Sequence, residues 1–400
     1  MSTAKRHVVV IGAGIAGTAA AWAAAKAGAR VSVLHDRAGA SALYSGALDE
    51  REWDRAGSGG GAPASAELAE FAAALGLWQL GARTLATREG VIRPALGSDA
   101  ALLDLTPLAG RRVAVADLER DDWDAELLAK SFAASAWARR TRTEFVATPL
   151  NALRAGHERR IAPYDFASLF DDPVRLSALA ESIADARPAA AGWLFGPWLG
   201  LLPGTASEIG RLAGVPVGET TSGTGGAAGA RFESARDALL EKLAVAVRRT
   251  RVVELSSSGG RFLVATRDDP GLPTAPVVVE AGAVVIAAGG LAAGGIELTW
   301  EPDRAQRSFE LAFVAPLALA LDGELLAGSG SLYGPSLEIS GLGALERVGI
   351  ALNDRGNPLA TGGTQEGLHV AGDIVAGRPR TALEAARSGL SAGAAAARDC

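Results

Sequence analysis

The chain has 400 residues, with 39 Lys and Arg against 45 Asp and Glu, a formal net charge of −6. That length favours two lobes or one large α/β domain over a single small core, and the acidic balance argues against a nucleic-acid partner, whose binding domains are basic. The one cysteine, Cys400, excludes a disulfide framework, a CxxC redox pair and a thiolate-held Fe–S cluster.

Val8-Val9-Val10-Ile11 is a β-branched apolar run that stops at Gly12-Ala13-Gly14-Ile15-Ala16-Gly17. An alanine-rich stretch follows to Ala27, breaks at Gly28, and gives way to a second apolar run, Val31 to Leu34, ending in His35-Asp36. Strand, glycine turn, helix and strand in that order open a dinucleotide-binding βαβ unit. Gly12 permits the tight turn, Gly14 admits a pyrophosphate close to the backbone, and Gly17 lets the helix lie against the strand. The helix start then offers free N–H groups and about half a positive charge to phosphates. Lys5-Arg6 before a long apolar stretch imitates a signal peptide or a membrane span. The dinucleotide glycine spacing and Lys26 fit a folded, retained βαβ unit better.

Small residues at 38–49, including Ser45 and Gly46, predict a loop running close to a ligand. Residues 57–63 are a glycine-rich connector out of the nucleotide-binding lobe. Leu68, Phe71, Leu75 and Trp78 predict an amphipathic helix over 66–80. Strands follow at 90–94 and 112–116, and helices at 124–139, 175–186 and 207–213. The stretch 192–204, with Trp193 and Trp198, is apolar but too short to cross a bilayer, and reads as buried core. A long helix is expected over 230–249, then three antiparallel strands at 252–255, 261–266 and 277–280. Residues 283–288 form an apolar strand running into Gly289-Gly290, and Leu368 to Ala371 a strand ending in Gly372-Asp373. A terminal helix starts at Thr381, where Thr381-Ala382-Leu383-Glu384 has capping-box spacing.

Ligands of open α/β sheets lie beyond the carboxyl ends of the strands. The ends at 12–17, 289–290 and 372–373 can therefore converge on one extended ligand, and a flavin nucleotide fits. Its pyrophosphate sits on the first turn, Gly289-Gly290 passes close to the nucleotide, and Asp373 accepts from a ribityl hydroxyl. The helix starting near Thr381 aims its positive end at the flavin ring.

On residues 41–49, 201–204, 283–290 and 367–377 the chain resembles the second, flavin-holding subunit of the anaerobic glycerol-3-phosphate dehydrogenase family, within the two-dinucleotide-domain flavoproteins. The resemblance implies a flavoprotein working with a catalytic FAD subunit and an Fe–S subunit that carries electrons to membrane quinone. It implies oxidation of sn-glycerol 3-phosphate, a cytoplasmic chain, and contact with the inner membrane only through partner subunits. The slot for an acidic ribose-binding residue at the end of the second strand is His35, with Asp36 next to it. Either Asp36 holds an adenosine ribose and the cofactor is FAD, or it is FMN; Gly372-Asp373 favours FAD. A stand-alone FAD-dependent dehydrogenase or oxidase of another small molecule, or a flavin-binding scaffold, are the alternatives.

Arg93, Arg378 and Arg380 are candidates for an anionic substrate, since a guanidinium fork matches phosphate oxygens. His157 is the candidate for proton transfer, whereas His7 and His369 lie on strands and read as structural. No metal-ligand pattern appears. The expected fold is α/β: a Rossmann-like FAD/NAD(P)-binding domain with a parallel sheet, assembled from 5–56, 227–300 and 353–400. An inserted α+β lobe is expected from 57–226 and 301–352.

Overall fold

The computed structural model describes residues 7–50, 65–186, 189–223, 225–268, 275–301, 306–321, 324–326, 347–360 and 365–400. The connector at 57–63 lies outside the described residues.

β1 (His7–Ile11), α1 (Ile15–Lys26) and β2 (Arg30–His35) form where the sequence predicts them. Ile15 through Ala24 are all buried, as a helix without a polar face requires. β3 (Ala47–Leu48) and α2 (Ala66–Leu75) come next. Ser65 caps α2 by accepting from the Leu68 amide, and Gly76 at φ 68 ends it. Trp78, expected on that helix, instead opens β4 (Trp78–Ala86), which pairs with β5 (Ile92–Asp99). After β6 (Arg112–Asp117), the single helix expected over 124–139 is two, α3 (Ala125–Ala134) and α4 (Ala136–Thr141). The break is Ser135, whose extended backbone closes α3 and whose side chain accepts from the Ala138 amide to start α4. β7 (Glu144–Pro149), α5 (Pro163–Ser168), α6 (Pro173–Asp185), β8 (Gly192–Phe195), α7 (Thr205–Ala213) and β9 (Val217–Glu219) follow.

α8 (Ala227–Lys242) is shorter than the helix expected over 230–249. Ala244 turns to φ 52, and Ala246–Arg249 becomes β10. β11 (Arg251–Ser258), β12 (Arg261–Arg267) and β13 (Val277–Ala281) are the predicted antiparallel strands. β14 (Ala283–Ile286), β15 (Ile296–Glu301), β16 (Gln306–Leu311), β17 (Leu319–Leu321), β18 (Glu324–Leu325), β19 (Gly349–Ile350) and β20 (Leu368–Val370) lead to α9 (Ala382–Asp399). Thr381 caps α9, its hydroxyl accepting from the Glu384 amide at 3.3 Å, as the capping-box spacing predicts.

The chain divides into two compact units. The first takes the described parts of Met1–Ser41, Glu50–Glu52 and Ala238–Cys400. Its centre is a parallel sheet in the order β10-β2-β1-β14-β20. Alternate residues of the central strands serve opposite faces. Val9, Ile11, Val284 and Ile286 pack with Phe262, Phe309 and Ile350, while Val8, Val10 and Val285 pack with alanines of α1 and α9. Both faces are covered, which is why these strands are continuous apolar runs. The described parts of 301–352, expected in the inserted lobe, lie with this first unit, because Phe309, Leu319, Val348 and Ile350 fill its core.

The second unit takes the described parts of Ala42–Asp49 and Trp53–Asp237. Besides the antiparallel β3-β5-β4 it holds an all-parallel sheet, β7-β6-β8-β9, which no pattern in the sequence announces. Trp193 and Trp198 are buried in its core, as expected.

That core also contains charge. Arg231, fully buried on α8, donates to Asp99 at 2.8 Å and to Glu219 at 2.6 Å. Burial, opposed by Arg231 and reinforced by the Asp99 carboxylate, raises the Glu219 carboxyl to about 7. A folded value above the ordinary carboxylate value means that folding takes up a proton. The stabilising contribution is full below the unfolded value and is lost as pH rises through about 7. Thermal melts from pH 5 to 8 should therefore decline more steeply for the wild type than for Glu219→Gln. Equal slopes would show that Glu219 stays ionised throughout.

Candidate functional site

β1, β14 and β20 are adjacent and parallel, so their carboxyl ends open on one edge of the sheet. The three glycine motifs meet there. Gly12 sits at φ +107, and a Cβ on it would stand 2.2 Å from the Ala287 carbonyl oxygen. A Cβ on Gly17 would stand 2.0 Å from the Gly12 carbonyl oxygen. Both are glycines because the chain's own backbone fills the space. Gly14 differs: within 4 Å of a Cβ there stands only the Ser41 side chain, its Oγ at 3.0 Å. The Ile15 amide, first in α1, donates to that Ser41 Oγ at 2.9 Å. Sequence reasoning does not single out Ser41. It lies 26 residues from Ile15, and its one signal is its place in the small-residue loop after β2.

After β14, Gly289 adopts φ +78, and a Cβ on Gly290 would stand 2.8 Å from the Asp373 carbonyl oxygen. The loops after β14 and β20 thus touch. Gly372 adopts φ +74 beside Ala16 of α1, and its amide donates to Ser388 Oγ of α9 at 3.0 Å. α9 crosses α1 closely because Gly389 and Gly393 meet the Ala16 and Ala20 carbonyl oxygens, where a Cβ would stand at 2.2 and 2.1 Å. The first turns of α9 are thereby fixed beside the half-buried Asp373.

His35 ends β2, and Asp36 follows it, accepting from Arg37 Nε and an Arg37 terminal nitrogen at 3.1 and 3.0 Å. Burial works against the Asp36 charge, but the hydrogen bonds and charge of Arg37 hold its carboxyl below the ordinary range. An ionised acceptor thus stands at the end of β2. Ser45 and Gly46 lie in the second unit. There the Ser45 carbonyl accepts from the Ser222 amide, and Gly46, at φ +90, would drive a Cβ to 2.5 Å from Leu102 Cδ1. The small residues of that loop answer in part to local packing.

The arginine candidates are engaged by the protein itself. Arg93 is buried and grips Asp49 with two hydrogen bonds at 2.9 and 2.8 Å, so its fork is taken. Arg378 is exposed and pairs with Glu384 at 3.2 Å. Arg380 donates to the carbonyl oxygens of Asp373, Val375 and Val348. It is a positioning residue for the turn after β20. Arg380→Ala is expected to lower stability by about 1–3 kcal/mol, the cost of stranding carbonyl acceptors; an unchanged unfolding midpoint would show that they are satisfied otherwise.

His157 is exposed on a surface turn of the second unit. His7 and His369 are structural, as the sequence suggests. His7 donates through Nδ1 to the Glu280 carbonyl at 2.8 Å and accepts from Ser32 at 2.9 Å, and burial keeps it neutral. His369 pairs with Asp399 at 3.0 Å. Cys400 is half-buried against the His7 carbonyl, and burial pushes its thiol up to about 11.

A backbone turn left open at Gly14, a helix start, an ionised carboxylate at the end of β2 and Asp373 at the end of β20 together fit a dinucleotide. A family model described as an NAD(P)-binding Rossmann-like domain matches residues 10–58. The first unit carries a Rossmann-like nucleotide-binding fold. No curated protein matches the sequence. Solved structures similar to the chain include the anhydrotetracycline hydroxylase OxyS from Streptomyces rimosus, at 13% identity and a TM-score of 0.26 over 78% of this chain and 36% of that one. They also include an open-conformation flavocytochrome c3 fumarate reductase, at 13% identity and 0.38 over 98% and 78%. The thioredoxin reductase of T. acidophilum gives 14% identity and 0.20 over 98% and 99%. The chain spans little more than a third of the hydroxylase's length. No helix among the described residues is long and apolar enough to cross a membrane.

Proposed function

We propose that the chain is a flavin-dependent oxidoreductase subunit, with FAD held on the Rossmann-like sheet. The observation that carries this reading is the convergence of three separate strand ends, at Gly12-Gly14, Gly289-Gly290 and Gly372-Asp373, on one edge. An NAD site of the simplest kind uses only the first of them. Gly14 and the Ile15 amide would receive the pyrophosphate, with the Ser41 hydroxyl turning aside. Asp36 would accept from the adenosine ribose, which favours FAD over FMN. Asp373 would accept from the ribityl chain. When bound there, the flavin supplies a two-electron acceptor for a substrate C–H. The chain's own work is to bind and orient it. Arg380 holds the Asp373 turn, and Ser388 holds the Gly372 amide.

In its finer form the proposal is a chain similar to the second, flavin-holding subunit of anaerobic glycerol-3-phosphate dehydrogenase. It would pass electrons from sn-glycerol 3-phosphate toward quinone with a catalytic flavoprotein and an Fe–S subunit. It would be cytoplasmic, reaching the inner membrane only through those partners. This rests on the four sequence stretches that resemble the family. Heat release of the bound cofactor and its identification by mass tests the coarser reading. Stoichiometric FAD is expected, and a folded, colourless chain with no affinity for FAD or FMN overturns it. Reduction of an artificial acceptor by sn-glycerol 3-phosphate in the co-purified complex, but not by this chain alone, is expected of the finer one.

A further inference from the structure

The antiparallel strands β11 and β12 of the first unit carry a cavity of about 320 Å³ on their outer face, within the range of small-molecule sites. Its floor follows from the alternation of side chains along the two strands. Val252 and Thr266 are opposed across the pair and point into the core. The next pair along, Arg251 and Arg267, therefore stands on the other face, half-buried. Its wall is the segment after β16, from Leu311 to Val314. Two hydrogen bonds lay that segment along β11. The Val314 amide donates to the Val253 carbonyl at 3.0 Å, and the Leu255 amide donates to the Val314 carbonyl at 2.8 Å. Val253, Leu311, Phe313 and Val314 make this side apolar. The glycine strand ends of the nucleotide site take no part in the lining.

The floor sets two like charges directly opposite each other. Residues so paired have Cβ atoms about 4.5–5.5 Å apart, and like charges at that separation repel. The chain does not supply the acid that would relieve them. Among the described residues the lining holds no Asp or Glu. Arg251 approaches Glu297 at 3.6 Å, too long for a hydrogen bond, with both side chains partly open to water. Its charge also reaches Asp36, but that carboxylate is already gripped by Arg37 through two hydrogen bonds. Arg267 makes no hydrogen bond and no ion pair among the described residues. Its Nε is sealed, so an acceptor would meet the four N–H bonds on its terminal nitrogens. With Glu297 set against Arg251, the cavity keeps one net positive charge, that of Arg267. A carboxylate matches a guanidinium fork with its two oxygens. The apolar wall beside the fork suits an aliphatic or aromatic body better than a bare inorganic ion.

We propose that this cavity is a second ligand site, independent of the flavin proposal, and that it takes an organic carboxylate with an apolar body, held by Arg251 and Arg267. The probe is phenylacetate, titrated calorimetrically into the full chain beside benzyl alcohol and benzylamine, which keep the ring and change the head group. Phenylacetate should saturate, and the alcohol and the amine should bind at least about fivefold more weakly, the worth of one charged contact at a half-exposed position. Arg267→Gln removes the charge and keeps a polar stem. It should weaken phenylacetate about fivefold, while the unfolding midpoint without ligand holds or rises, because the repulsion across the strands is gone. Val314→Trp, at a rim position 70% exposed, fills the cavity and should abolish binding. Absence of saturation by phenylacetate, equal binding of benzyl alcohol, or an Arg267→Gln titration like that of the wild type would each overturn the proposal.

Discussion

Replacing Arg231 with methionine is expected to destabilise the protein by about 3–5 kcal/mol, the usual cost of removing one partner from a buried ion pair. The guanidinium donates to Asp99, to Glu219 and to the Gly200 carbonyl, all inside the second unit. Each acid is at most 1% exposed, so without the arginine two carboxylates face each other out of reach of water. One or both must then take up protons at neutral pH. The defect should accordingly be smaller at pH 5 than at pH 8, which a pair of denaturant titrations can read. Removing all three charges with apolar residues of similar volume is expected to recover most of the loss. Desolvation of a buried triad offsets most of what its ion pairs contribute. A single variant as stable as wild type at pH 8 would mean that the acids are already neutral or hydrated, and the charge cluster would have no structural weight.

This triad also marks where the sequence ceases to be legible. A lone arginine on a helix reads as a surface residue, and Arg231 meets its Asp99 partner across 132 positions. Nothing local announces it. β8 and β9 are equally quiet, with four and three residues and no alternation, so the parallel sheet of the second unit goes unseen. By contrast β1 and β14 are buried on both faces and advertise themselves as apolar runs that end in glycine. Each motif at a strand end is visible because the backbone there requires a glycine: Gly12 and Gly290 meet backbone carbonyl oxygens, and Gly372 turns to φ +74. Helix ends fall between these extremes. Thr381 and Glu384 signal the start of α9, but one glycine at φ 68 is enough to turn the expected last turn of α2 into strand. Arg93 fails as a substrate candidate for the reason that hides Arg231. Its partner Asp49 is 44 residues away, so an internal ion pair looks like an open guanidinium.

The same added methyl should have opposite consequences at Gly14 and Gly17, three residues apart. At Gly17 the new Cβ would lie 2.0 Å from the Gly12 carbonyl oxygen, which is backbone and cannot turn aside. Gly17→Ala must push α1 off the end of β1 in the middle of the sheet. A cost of about 3 kcal/mol or more is expected, at the upper end for overpacking. At Gly14 the backbone, φ −72 and ψ −172, is a conformation alanine adopts freely. The single neighbour is the Ser41 side chain, its Oγ at 3.0 Å, which can turn aside by giving up the hydrogen bond it accepts from the Ile15 amide. Gly14→Ala should cost no more than about 1 kcal/mol, the net worth of that one hydrogen bond. Yet that methyl stands where a pyrophosphate must come close to the backbone, so the purified variant should carry at least about tenfold less flavin. Cofactor absorbance and a denaturant titration on each variant separate the two effects. If Gly14→Ala folds normally and keeps its full flavin content, no pyrophosphate lies on this turn, and the three strand ends converge on something else.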